Sequence, residues 1–508
     1  MKRHKFQKHP RSYVNSESGP SGSLQLPART LSIVAILLAA CGSTPQSPPP
    51  DFSLAGERFA HSAATSAETL DAATWRGFYD PALESLIAQA RTANLDVRIA
   101  QQRVRQARAG STAAASRLMP TVAISGSLSD QRTGLPSDFK RTSPDVQAKR
   151  GALDLGWELD IFGAARAAAD AAELDALAAD GGVEVAQWLA TTEVARQYLV
   201  WQGARLRLRQ LQALQQAQQE TERLTRNREA VGLASRFDVT RAEVETQTVA
   251  AQLPPLQTLI DVTQAQIKGL LGMGPGADLK ALNARDAATL PQVPSLSPGQ
   301  PIELLQRRPD LRVAERQLKA ESARLRESQA DQWPRLVLGA ALGQQDLRVN
   351  GLNLSPVRYS NVALAFTAPV FNAGRLRAAV ERQSARERMA VLQYERAALG
   401  ALQDVENSLV ALNQERERGL ALDAALESRR QGLRHAQSLH REGQIDRLQL
   451  LEAQRGVIAA ELAATDNHTQ RALCAVQLVK SLGGGWYATP GPAAAPAPAS
   501  AVSVNSKP

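Results

Sequence analysis

Cys41 follows Leu38-Ala39-Ala40 and precedes Gly42-Ser43, which makes it the residue of this 508-residue chain best placed for covalent chemistry. Basic residues, the apolar run Leu31 to Ala40 and two small residues before a cysteine form the pattern of a bacterial lipoprotein signal. Cleavage there would leave Cys41 as a lipid-bearing first residue. The run is about half as long as the roughly 20 residues that a spanning helix needs. Residues 1–30 precede it, long for an n-region, which leaves the start codon open.

Other reactive types are scattered. Of six histidines, His4 and His9 lie in the signal region, His61 and His468 stand alone, and His435 and His440 are five apart. A helical zinc pair uses a spacing of four. Gly483-Gly484-Gly485 follows a helical stretch and suits a helix terminator, not a phosphate loop. The second cysteine is Cys474, so the chain has no disulfide framework and no thiol cluster for a metal. No enzyme, metal or cofactor is expected.

Charge excludes another class. The formal net charge is +9, but residues 1–40 hold six basic residues against Glu17 alone, and without them +4 remains. That gives little reason to expect nucleic acid as a partner. A length of 508 residues allows one large or several small domains, and 4% aromatics points to helix-rich packing.

The elements that carry these residues come in two similar sets. Asn94-Leu95-Asp96-Val97-Arg98-Ile99-Ala100 resembles Arg308-Pro309-Asp310-Leu311-Arg312-Val313-Ala314. Asp96 precedes Pro120 by the same interval as Asp310 precedes Pro334. The stretch from Phe162 to Gly232 is nearly as long as that from Phe371 to Gly443. Landmarks that hold register over such distances argue for an internal repeat, as in a solenoid or a symmetric channel.

After each proline the sequence alternates. Leu153, Leu155, Trp157, Leu159 and Ile161 interleave with Asp154, Gly156, Glu158 and Asp160, a strand with one greasy and one acidic face. Its hairpin partner runs from Thr121 to Ser129, and two further alternating segments lie at Leu336 to Gly343 and Val362 to Thr367. Their lengths suit crossing a bilayer at a tilt, although four half-buried strands of a soluble sheet would share the pattern.

Between the strands lie long helical stretches. Ala164 to Val231 runs without a proline, a rod of about 100 Å. Its apolar positions recur at three- and four-residue steps, so it needs partners along most of its length. Pro81 to Leu118 and Ser235 to Leu271 are together about as long, and two short helices stacked end to end could line one long one. Gly374 to Glu442, returning through Asp446 to Leu482, repeats the design. Four strands cannot close a barrel, because an open edge inside lipid strands backbone donors and acceptors. Two copies would give a plugged eight-stranded barrel and three a wet twelve-stranded one, which the acidic face favours.

These residues resemble the TolC-like outer membrane factors (outer membrane efflux proteins), in particular the NodT/OprM-like lipoprotein subgroup. The carriers are Trp75 to Leu83 (WRGFYDPAL), Trp157 to Gly163 (WELDIFG), Arg307 to Asp310 (RRPD), Ala368 to Leu376 (APVFNAGRL) and Leu482 to Trp486 (LGGGW), five motifs in the family's order. The resemblance implies a mainly α fold with a membrane β-barrel: a long α-helical hairpin tunnel and four strands per protomer, twelve in a homotrimer. It implies a passive exit duct for small molecules in a tripartite efflux system, spanning the outer membrane with a large periplasmic portion. Its partners would be a periplasmic adaptor, an inner membrane transporter (RND or similar) and outer membrane lipid. Alternatives are the duct of a type I protein secretion system and a periplasmic structural coiled-coil lipoprotein.

The expected organisation is a signal peptide at 1–40, an arm at 41–80, a first repeat at 81–299 and a second at 300–486, then a disordered tail at 487–508. The first repeat holds a helix, a β-hairpin over 120–162, a helical hairpin over 163–272 and an equatorial segment. In the second, a helix leads to a β-hairpin over 334–371 and a helical hairpin over 372–482. Function should sit at the hairpin tips farthest from the barrel, where Gly232, Leu233, Ser235, Gly443 and Ile445 would meet the adaptor. Asp446, Gln449 and Glu452 share a helical face and would ring the periplasmic aperture. An Asp238 to Arg447 contact would latch it, although Ser235 and Asp446 also suit helix caps.

Overall fold

The computed structural model describes residues 59–61, 75–132, 134, 136, 144–279, 282, 290–294 and 301–484. Cys41, the segment before it, most of the arm and the tail lie outside these residues.

Asp80 starts the ordered helical body. Its buried carboxylate accepts from the amides of Ala82 and Leu83 at 3.0 and 3.3 Å, and Pro81 occupies the first position of α1 (Pro81–Ala93). The Tyr198 hydroxyl donates to the same carboxylate at 2.7 Å. The single helix expected over 81–118 is broken at Asn94, whose side-chain oxygen takes the amides of Asp96 and Val97 and so caps α2 (Leu95–Ala115).

The chain then runs through β1 (Thr121–Gln131), β2 (Val146–Leu159) and the long α3 (Ala164–Ala230), and returns in α4 (Arg236–Leu270). The second half follows with α5 (Pro301–Arg307), α6 (Pro309–Ala330), β3 (Arg335–Val349), the two-residue β4 (Leu352–Asn353), β5 (Val357–Thr367), α7 (Arg375–Arg441) and α8 (Arg447–Ser481). Both long helices have 67 residues and both returning helices 35, so the internal repeat is real down to element length.

Stacking end to end also occurs, with a polar joint in each repeat. α2 and α4 both line α3, and Asn94 Nδ2 donates to the last carbonyl of α4, Leu270 O, at 2.8 Å. α6 and α8 both line α7, and Arg308 Nη1 donates to the last carbonyl of α8, Ser481 O, at 3.1 Å. Helix ends leave carbonyls without partners, and each joint uses the start of the next helix to satisfy one. α3 packs against α6 and α8 as well, which ties the two repeats into one body.

The strands form one antiparallel sheet in the order β1-β2-β3-β5. Residues directly opposite across an antiparallel ladder share a face. Ile124 opposes Leu153, Leu153 opposes Leu342, Trp157 opposes Leu338, and Leu338 opposes Leu364, so one face is apolar across all four strands. It is bare in the protomer: Ile124 is 87% exposed and Val362 75%. The other face carries Ser125, Asp154, Arg150 and Tyr359, where Ser125 donates to Asp154, Arg150 to the Tyr359 hydroxyl, and Arg150 lies 3.7 Å from Asp154. Asp160 departs from the expected acidic face. β2 ends at Leu159, and the Asp160 carboxylate accepts from the amides of Ala165 and Arg166, because Gly163 at the start of α3 has no side chain to cap with.

Apolar packing is concentrated around the middle of the long helices. One cluster joins Phe78, Leu83 and Leu86 to Tyr198, Leu199, Ile267 and Val476; a second joins Phe59, Leu304 and Leu311 to Val405, Leu409 and Leu478. Among the described residues no helix is long and apolar enough to cross a membrane.

Candidate functional site

The two hairpin tips reverse the chain by the same means. α3 ends at Gly232 with φ +75°, and the amides of Gly232 and Leu233 close on Glu229 O and Arg228 O at 2.9 and 2.7 Å. α7 ends at Gly443 with φ +73°, and Gly443 and Gln444 close on His440 O and Leu439 O at 3.1 and 2.8 Å. Only glycine takes this left-handed turn without steric cost.

Each return helix then opens with a capping box. Asp238 N donates to Ser235 Oγ at 3.2 Å and Ser235 N to Asp238 Oδ2 at 2.9 Å. In the second tip Gln449 N donates to Asp446 Oδ1 at 2.9 Å and Asp446 N to Gln449 Oε1 at 3.1 Å. Such reciprocal pairs satisfy two orphan donors at a helix start. His440 Nδ1 adds a contact of 3.1 Å to Ile445 O, which braces the second tip.

Among the described residues, one ion pair joins the tips within the protomer. Arg228 Nη1, in the last turn of α3, donates to Asp446 Oδ2 at 2.7 Å. The carboxyl of Asp446 is held below its ordinary value by the Gln449 amide and then by Arg228; that of Asp238 is lowered by the Ser235 hydroxyl and amide. Both are therefore charged at neutral pH. Leu224, Asn227, Arg228 and Val231 face Asp446, Arg447 and Leu448 across an open groove of about 340 Å³.

The expected site residues thus meet only in part. Asp446 and Gln449 are partners, but through the helix start, and Glu452 and Arg447 are exposed on the same helix. The Asp238 to Arg447 contact is not made within the protomer: Asp238 bonds to Ser235, and the cation that pairs across the tips is Arg228, with Asp446. Sequence reading missed Arg228 because it lies in the last turn of a helix dense in arginine. Leu233 and Ser235 sit exposed at the first tip, and Ile445 is half-buried at the second. Among the described residues no group of side chains could hold a metal ion.

Two of the motifs are structural staples at the middle of the molecule. Arg308, with its side chain 7% exposed, forks onto Asp310 at 3.0 and 2.6 Å and lies 5.3 Å over the Trp188 ring. Asp80 and Tyr198 pin α1 to α3 in the same belt.

Comparison with known proteins agrees with this architecture. Residues 86–273 and 301–484 match the family described as "Outer membrane efflux protein". The toluene efflux pump outer membrane protein TtgC of Pseudomonas putida is 29% identical over 472 residues, covering 91% of this chain and 96% of that one. Nodulation protein T of Rhizobium leguminosarum bv. trifolii is 28% identical over 432 residues, covering 84% and 91%. Among solved structures, the outer-membrane channel OprN superimposes with a TM-score of 0.76 at 30% identity, covering 88% of this chain and all of that one. A sheet with one lipid-like face, a doubled helical hairpin below it and a match that spans both repeats lead to one conclusion: the chain belongs to the outer membrane efflux protein family of channels.

Proposed function

We propose that three copies of this chain close into a passive duct through which small molecules, such as drugs or other toxic compounds, leave the cell as the last stage of a tripartite efflux system. The observation that carries this reading is the sheet. Its apolar face is bare, its other face is polar, and its outer strands β1 and β5 each have one unpaired edge of 11 residues. Unpaired edges cannot face lipid, so β1 of one copy would pair with β5 of the next. Twelve strands would leave a wet lumen lined by Arg150, Asp154 and Tyr359.

Below the barrel, an exposed apolar stripe on α7, with Leu392 at 63% exposure, and another on α2, with Ile99 at 50%, fit the same copy-to-copy contact. The tips then converge at the periplasmic aperture. Gly232, Leu233, Ser235, Gly443 and Ile445 would dock the adaptor, which would join the duct to an inner membrane transporter. Asp446, Glu452 and Arg447 would border the opening, and any contact of Asp238 with Arg447 would then lie between neighbouring copies. Cys41 would carry the lipid that adds an anchor in the outer membrane.

Planar-bilayer recording from the purified mature protein, with its mass measured by light scattering, tests the reading. Single-channel events from a trimer support it; a water-soluble monomer with no conductance overturns it.

A further inference from the structure

Within one protomer the upper helices are matched in charge. Where α3 meets α6, Arg312 pairs with Glu184, Arg324 with Asp175 and Arg326 with Asp170. The outer edges of the protomer carry more arginine than carboxylate. α2 exposes Arg98, Arg103 and Arg105, and α7 exposes Arg382, Arg386 and Arg388. None of the six has an ion-pair partner among the described residues; Arg105 makes one contact, to Gln102 at 3.4 Å. Carboxylates on these edges are fewer: Asp96 is exposed near Arg98 and Glu381 beside Arg382, whereas Glu387 is buried and accepts from Ser322 at 2.7 Å.

Topology brings these edges together. α2 leads into β1 and α7 follows β5, so closure through the free strand edges sets α2 of one copy beside α7 of the next. The levels agree as well. Arg103 and Arg105 stand nearly as far before Thr121, the start of β1, as Arg386 and Arg388 stand after Thr367, the end of β5. Residues two apart point to nearly opposite sides of a helix, so one arginine of each pair would face the other copy across every boundary, beside the apolar contact of Ile99 with Leu392.

We infer that each boundary between copies binds a soluble oxyanion of the phosphate class, held by guanidinium groups from both copies. The inference rests on the trimeric reading above, because neither copy alone completes the site. Planar guanidinium forks match the oxygens of phosphate two at a time, and several on one anion turn repulsion into a bridge. The level of Arg105 is roughly 20 Å beyond the end of the sheet, at about 1.5 Å per helical residue. That distance is too deep for a lipid headgroup and leaves a dissolved anion as the occupant.

The test titrates inorganic phosphate into the purified protein at fixed ionic strength, with chloride as the replaced ion, and reads heat-induced dissociation to monomers. Phosphate should raise the midpoint by a few degrees and saturate. A double variant, Arg105→Gln with Arg386→Gln, should lose that response and, without phosphate, dissociate at a higher temperature than the parent. An equal rise with chloride, or a phosphate response that survives in the double variant, overturns the site. Should the double variant fail to assemble, equilibrium dialysis of the parent with radiolabelled phosphate decides: three bound per trimer support the site and none bound sinks it. A monomer by light scattering would instead defeat the trimeric reading, whereas a trimer indifferent to phosphate defeats the site alone.

Discussion

Arg228 and Asp446 are remote in sequence and meet at 2.7 Å where the two hairpins end. Each also serves its own hairpin: Arg228 O receives the Leu233 amide that closes the first turn, and Asp446 caps the return helix of the second. A contact built from residues already needed for chain reversal couples the shapes of the two tips.

Removing that contact should loosen the aperture. Arg228→Ala leaves the Asp446 capping box in place and deletes the link, so the reconstituted channel should show higher resting conductance. Exposed ion pairs contribute only about 0 to 1 kcal/mol each, so the change should be a several-fold rise in open time rather than a permanently open pore. Asp446→Ala should do more, since it also removes a cap worth about 1 kcal/mol. Equal conductance in both variants and the parent would show that closure depends on other contacts.

Acid should weaken the second hairpin before it affects the tips. Burial, helped by Arg471 and opposed by Asp423, holds the His468 imidazole below its ordinary value of 6.5. A histidine depressed in the folded state favours folding fully above the unfolded value and loses that contribution as pH falls below about 6.5. Thermal dissociation measured from pH 8 to pH 5 should therefore decline in the lower half of the range, and His468→Gln should flatten the decline. The tip carboxylates behave differently: Asp446 and Asp238 are depressed below 3.8, so their contacts persist until the pH falls beneath that value.

The belt should be sensitive to Arg308. Lysine keeps the charge but cannot fork onto Asp310, reach Ser481 O and cover Trp188 together. Arg308→Lys should cost about 2 kcal/mol, by analogy with partners lost from buried charged hydrogen bonds. Chemical denaturation in detergent would register it as a lower midpoint with an unchanged slope.

Lipidation is open to direct reading. Intact mass of the mature protein should place Cys41 first and acylated, and Cys41→Ser should remove the acyl mass while the channel still forms, because the barrel supplies the membrane contact. A mature mass beginning elsewhere would contradict the signal reading.

Much of this architecture was legible because it is periodic. Alternation fixed the strands and their faces: Val122, Ile124, Leu153, Leu155, Leu336 and Leu338 share one side as a period of two requires. Helical spacing fixed the rods, and repeated landmarks fixed the duplication to within a few positions. Boundaries failed where a polar side chain made a tertiary choice. Asn94 breaks a helix because its side chain both caps α2 and holds Leu270 O, and Asp160 leaves the strand because α3 starts at a glycine.

Periodicity is a local property, and so the sequence alone determined which elements form and which of their faces are apolar. Partnership between distant polar groups is not local. That Arg228 rather than Arg447 reaches across the tips, and that Arg308 closes a joint with Ser481, depended on how long helices of equal length were laid side by side. A helix as long as α3 offers many arginines at similar spacing, and only packing decides which one faces a carboxylate.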